Sequence, residues 1–311
     1  MLQLLHHILA PPSCLPPFPS NIWGAPPVVP RGFGEALFSV LYSDVGSHFY
    51  NKCGPDAESS GWDVRDPWSV VWQVPDEPIE VKRSKSFHWI TLDDLDGYLG
   101  ADRWRVIAED LPEIARSTNN SSPSGDKLIH IATPPAIAQT TFLISRYILS
   151  PREALPRNMH WGAAHTNSSG ESSYITWVPE PHDHSTLMIS RMRCDNLSSF
   201  GILLYAAMHQ ARQLGLKRIE IWNTMGWAGN SKESAPFGGK WVERTEHLPA
   251  FAWYGEGRKQ DVIWHLNERY LSCPEATASP PVRMLLTFCF LVLAAHPMSP
   301  LSLDLLGADR G

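Results

Sequence analysis

The stretch that decides the fold is "STLMISRMRCDNLSSFGILLYAAMHQARQLGLKRIEIWN", Ser185 to Asn223. "STLMISRM" is an apolar run of strand length. In the middle, Phe200, Leu203, Leu204, Ala207, Ala211 and Leu214 recur at helical spacing and make one apolar stripe, and Gly215 stands where a helix ends. "KRIEIWN" then reads as a strand again. A strand, a crossover helix and a second strand imply a parallel pair with the helix packed on the sheet.

Working outward, "HWGAAHT" and "SYITWV" are strands flanking "NSSGE", a hairpin signal, so this unit reads β-β-β-α-β. Near the N-terminus, Leu2, Leu5, Ile8 and Leu9 share a helix face that stops at Pro11-Pro12. A proline-rich loop over 11–30 follows, then a strand at about 37–43 and a short helix at about 46–53. "GWDVRD" and "SVVWQV" meet around Pro67, which reads as a hairpin or edge connection. This first unit is therefore α-β-α-β-β. Between the units, "TLDDLDGYLGADRWRVIAEDLPEIAR" opens with the capping residue Thr91 and is helical, and "STNNSSPSGD" is a flexible loop. The expected division is 1–78, a bridge 79–127, a second domain 128–272 and an apolar tail 273–311. The fold class is α+β, with mixed β-sheets and crossover helices.

Bulk numbers narrow the function. The 311 residues are 43% hydrophobic, ample for a core, and the net charge of -6 argues against a nucleic-acid groove. The five cysteines, Cys14, Cys53, Cys194, Cys273 and Cys289, include no C-x-x-C pair, which fits a reducing, cytoplasmic setting. The apolar run Met284 to Ala295 is shorter than the roughly 20 residues a bilayer span needs, so no membrane partner is expected. "EPHDH", with Glu180, His182, Asp183 and His184, reads as a solvated polar turn, and no metal is expected. His6 and His7 have no evident partner. The stretch 222–257, with Trp222, Trp227, Trp241, Phe251, Trp253 and Tyr254, reads either as a pocket wall or as the packing of a long ordered loop. Serine-hydrolase, P-loop and zincin motifs are absent from the sequence.

"FSVLYSDVGSHFYNKCG", Phe38 to Gly54, carries the chemistry. Ser43 ends a strand seven residues before Tyr50, and "FYNKCG" follows as a helix stopped by Gly54. This pattern resembles the GNAT acyltransferase segment in which a strand ends in Asn or Ser ahead of an F-Y-x-K-x-G helix. With "LLHHILAPPS" and "WGAPP" upstream, the chain over residues 1 to about 272 resembles the fungal lysine N6-acetyltransferase-like family, which has a GNAT domain followed by a second GNAT-like domain.

The resemblance implies acetyl-CoA as co-substrate and a small, lysine-like amine as acceptor. It implies Tyr50 as the acid that protonates the departing thiolate. Ser43 and Phe49 would lie against the leaving group and the pantetheine arm, Phe49 packing beneath, and Asp44 is a candidate partner for the substrate ammonium. One departure stands out. The Q/R-x-x-G-x-G/A loop that holds the cofactor pyrophosphate at a helix N-terminus is not found ahead of residue 1, and "RMRCDNLSSFG" offers Arg193 without the spaced glycines. The expectation is an impaired acetyltransferase lacking the N-terminal half of its first GNAT domain; the alternative is a catalytically inactive GNAT-like binding or interaction protein, or a fragment.

Overall fold

A computed structural model describes residues 2–81, 85–121, 128–132, 159–180, 183, 185–222 and 235–268. The apolar tail from 273 and the histidines at 182 and 184 lie outside the described residues. In chain order the elements are α1 (Gln3–Leu9), α2 (Ser20–Trp23), β1 (Phe38–Ser43), α3 (Ser47–Asn51), β2 (Asp63–Val64), β3 (Trp68–Gln73), β4 (Phe87–Ile90), α4 (Leu95–Arg105), α5 (Leu111–Ser121), β5 (Ile129–Ala132), β6 (Gly162–Thr166), β7 (Ser172–Pro179), β8 (Thr186–Arg193), α6 (Leu197–Gln213), β9 (Arg218–Ile221), β10 (Lys240–Glu243), β11 (Leu248–Trp253) and β12 (Val262–His265). The chain is α+β with mixed sheets, as its sequence implies.

The decisive stretch folds as read. β6, β7 and β8 form an antiparallel meander, α6 crosses over, and β9 returns parallel to β8. The stripe of α6 explains why: Phe200, Leu203, Leu204, Ala207 and Ala211 are buried in the main core, and each large side chain so buried contributes about 1.5–3 kcal/mol. Asn196 caps the helix by accepting the N–H of Ser199 at 2.9 Å, and Gly215 leaves it at φ +71°, a conformation only glycine adopts freely.

One irregularity re-aims β8. Trp177 pairs with Ile189 but Thr176 pairs with Arg191, so Ser190 is an extra residue, a β-bulge that twists the strand. Pairing with β9 stops at the same place, Ile189 against Ile221. Beyond the bulge, Arg191 and Arg193 reach α4. Arg191 is 1% exposed and donates to Asp102 at 2.6 Å and to Glu268 at 2.7 Å, while Arg193 bonds Asp102 and Asp110.

The sheets are built from distant segments. The large sheet has the order β10-β3-β9-β8-β7-β6-β4, and a small one has β1-β11-β2. β2 and β3 are therefore not a hairpin: β2 pairs with β11 and β3 with β9 and β10. Asp66, at φ +44°, and Pro67 turn the chain from one sheet to the other. "STNN" also departs from its reading, because α5 carries on through Ser121, its last turns being helical rather than loop. Thr91 does not cap its helix: α4 starts after Asp94, and the N–H and hydroxyl of Thr91 both donate to the Asp94 carboxylate, at 2.8 and 2.7 Å.

β1 is buried at every residue because both its faces are covered. Leu41 meets Leu9, Tyr50 and Trp62 on one face, and Phe38 and Val40 meet Ile131, Phe251 and Val262 on the other.

Candidate active site

The end of β1 and the short helix α3 carry the residues expected to act. Gly54, closing the motif, is glycine for a steric reason: a Cβ there would lie 1.8 Å from the carbonyl oxygen of Ser59. Tyr50, on α3, is 6% exposed, in a cluster with Leu9, Leu41, Trp62 and Tyr254. Burial, with the carboxylate of Asp44 and Cys53 nearby, pushes its phenol up to about 12. It is thus neutral across the physiological range.

The neighbouring residues have contacts of their own. The Ser43 hydroxyl serves the turn, donating to the Gly46 carbonyl at 3.1 Å and accepting the Val45 N–H at 3.3 Å. Phe49 is 51% exposed and meets Tyr50 edge-on at 4.9 Å, because a five-residue helix has only one buried face and Tyr50 takes it. Asp44 turns to His247, accepting its backbone N–H at 2.8 Å and facing its Nδ1 at 2.9 Å.

His247 was not singled out in the sequence. It lies on the turn between β10 and β11 at φ +48°, and it lines a cavity of about 440 Å³ on the large sheet with Glu220, Trp222, Arg244 and Lys240 among its walls. Glu220 accepts from Ser69 at 2.6 Å and from the Trp222 indole at 3.1 Å, and the guanidinium of Arg244 lies 3.8 Å over the Trp222 ring. Among the described residues of the aromatic stretch, only Trp222 lines this cavity. Phe251 is core, Tyr254 belongs to a buried network, and Trp227 lies outside the described residues.

That network gives the N-terminal histidines the partners they lacked in the sequence. His6 bonds the Tyr254 hydroxyl at 2.9 Å and the Cys53 carbonyl at 2.7 Å, and stacks 4.1 Å from Trp62. Ser39 joins Tyr254 at 2.7 Å to the Trp62 indole at 2.9 Å. Burial depresses His6 to about 4, against the pull of its bond to Cys53. His7 donates to the Pro55 carbonyl at 2.7 Å.

The N-terminus of α6 is the place where the crossover geometry would receive a pyrophosphate. One of its donors is already engaged. Asn196 fills the Ser199 N–H, and Asp195 adds a carboxylate bonded by Asn196 at 2.7 Å and by Ser173 and Asn167. Burial works against that carboxylate, yet bonds from Ser173, Ser199 and Asn167 hold it below the ordinary range, keeping a negative charge where an anion would sit. Arg193 is bound by two aspartates. The residues present at this helix do not fit a pyrophosphate.

In "EPHDH", Asp183 pairs with Arg218 and is held down to about 2 by hydrogen bonds from Ser185 and Thr186, against its burial. Among the described residues no helix is long and apolar enough to cross a membrane.

The family described as LYC1 GNAT-like C-terminal domain matches residues 71–273. The chain belongs to this family. The match begins inside β3 and spans the large sheet and α6, so the GNAT-like reading rests on most of the described fold and points to an acetyltransferase-type protein. No curated protein matches the chain.

Proposed function

We propose that the chain is an acetyl-CoA-dependent N-acetyltransferase of a small amine of the lysine kind. Tyr50 is its acid, and the cavity beside Asp44 receives the amine. One observation carries this reading: the Asp44–His247 contact joins the end of β1, which bears Ser43 and leads into the helix of Tyr50, to the cavity of the GNAT-like domain. The cavity suits a cationic ligand with a second polar end, because Glu220 and Glu246 line it together with Arg244 and Lys240. Phe49 supplies an exposed apolar ring beside Tyr50 for a thioester arm.

A second reading, a GNAT-like binding protein without activity, is favoured by the closed α6 N-terminus, where Asn196 and Asp195 stand in place of anion donors. The same feature supports weakened cofactor binding within an active protein, since a pyrophosphate without donors forfeits several charge-assisted hydrogen bonds. The two readings separate in one assay. The intact chain is incubated with acetyl-CoA and L-lysine, and the product is read by mass spectrometry. N-acetyl-lysine supports the transferase; calorimetric binding of the amine with no acetylated product supports the binding protein.

A further inference from the structure

We propose that His247, held by Asp44, is the general base that takes a proton from the substrate ammonium; the inference rests on the acetyltransferase reading above. A protonated amine has no lone pair, so attack on a thioester needs a proton acceptor beside it. His247 has the geometry of one. Its Nδ1 faces the Asp44 Oδ1 at 2.9 Å, and that same oxygen accepts its backbone N–H at 2.8 Å. A carboxylate on Nδ1 fixes the tautomer that carries the proton there and leaves Nε2 as the acceptor. The ring lines the cavity, 6.1 Å from the Trp222 ring, and its side chain keeps 27% exposure.

The backbone gives independent support. His247 holds φ +48°, a conformation that costs a non-glycine residue and that recurs where function over-determines the chain. Arg244 donates to its carbonyl at 2.8 Å and stacks on Trp222, so the strained turn is pinned from the cavity side as well as by Asp44. Asp44 is a positioning residue that acts through the imidazole, not the direct partner of the ammonium.

The step balances. Nε2 takes one proton from the ammonium, and Asp44 stabilises the imidazolium. The freed lone pair forms the C–N bond to the acetyl carbon as the C–S bond breaks. The sulfur takes the Tyr50 proton, and the phenolate recovers one from the attacking nitrogen as it becomes an amide. The imidazolium proton passes to water. Of the two protons the ammonium loses, one ends on the thiol and one in solvent.

The test uses the full chain, L-lysine as amine, and both acetyl-CoA and S-acetylpantetheine, which lacks the pyrophosphate. His247→Gly keeps the left-handed turn without strain and leaves room for a small base. The expected result is a fall in kcat of about 10²–10⁴-fold, partly restored by added imidazole. Asp44→Asn should shift the His247 nitrogen resonances, in ¹⁵N spectra, away from the Nδ1–H tautomer, a readout independent of turnover. A His247→Gly variant as fast as the parent, or a folded slow variant that imidazole does not rescue, overturns the base while leaving the acetyltransferase intact. A parent chain that acetylates no amine from either thioester overturns the acetyltransferase reading itself, and the base with it.

Discussion

The crossover β8–α6–β9 and the small sheet β1–β11–β2 are built on opposite principles. In the crossover the partners are near in sequence, and the contacts are an apolar stripe and strands of a continuous segment. In the small sheet the decisive contacts join residues more than 200 apart: His6 to Tyr254 across 248 positions, Ser39 to Tyr254 across 215, Asp44 to His247 across 203. The first region is a scaffold whose periodicity is its explanation. The second gathers polar groups that no local pattern announces, and those groups border the candidate site.

The sharpest way to break this contrast is at the bulge, where the scaffold itself depends on distant charge. Arg191→Leu would leave Glu268 buried without its bonded cation and Asp102 with Arg193 alone. Removal of one partner of such a pair costs about 3–5 kcal/mol, read as a lower urea midpoint. A loss under about 1 kcal/mol would mean that the network is screened by water and that the bulge is held by packing alone.

The small sheet should reveal itself through pH. His6 is depressed to about 4 when folded, from 6.5 when free, so the unfolded chain binds the extra proton between those values. Its stabilisation is present above pH 6.5 and is lost as pH falls toward 4, by about 3 kcal/mol at most. Glu268 works in the opposite direction. Burial raises it to about 7, against the attraction of Arg191, so its penalty grows as pH rises from about 4.5 to 7. Melting curves between pH 4 and 7 should therefore fall on acidification more steeply in Glu268→Gln than in the parent. An unchanged slope would remove Glu268 from the balance.

These differences mark what the sequence could show. The stripe from Phe200 to Leu214, the hairpin at "NSSGE" and the Gly215 stop were legible because each rests on local spacing, and the strand-to-helix passage at Ser43–Tyr50 was legible because a strand face and a helix turn share a short segment. "GWDVRDPWSVVWQV" permits a hairpin or an edge connection, because nothing in it states that the two strands enter different sheets. Asp44 was visible as a candidate, but its engagement by His247 depends on β11 lying beside β1. The exposure of Phe49 follows from the shortness of α3, which the motif alone did not convey.

A smaller effect tests the closed end of α6. Asn196→Ala should cost about 1 kcal/mol, the usual value of a helix cap, measured by thermal denaturation. It should leave acetyl-CoA affinity unchanged or slightly higher, because it removes an occupant of the helix donors. A clear loss of affinity would place the pyrophosphate at this helix after all.

Tyr50 as the proton donor is tested most directly by comparing the parent chain with Tyr50→Phe in steady-state acetylation of L-lysine. The phenol is buried and neutral up to about pH 12, and its loss removes the proton for the departing sulfur without touching the amine cavity. The predicted result is a fall in kcat of about 10²–10⁴-fold with the amine KM little changed. Equal kcat in the two proteins would show that Tyr50 is a core residue and that the acid, if there is one, lies elsewhere.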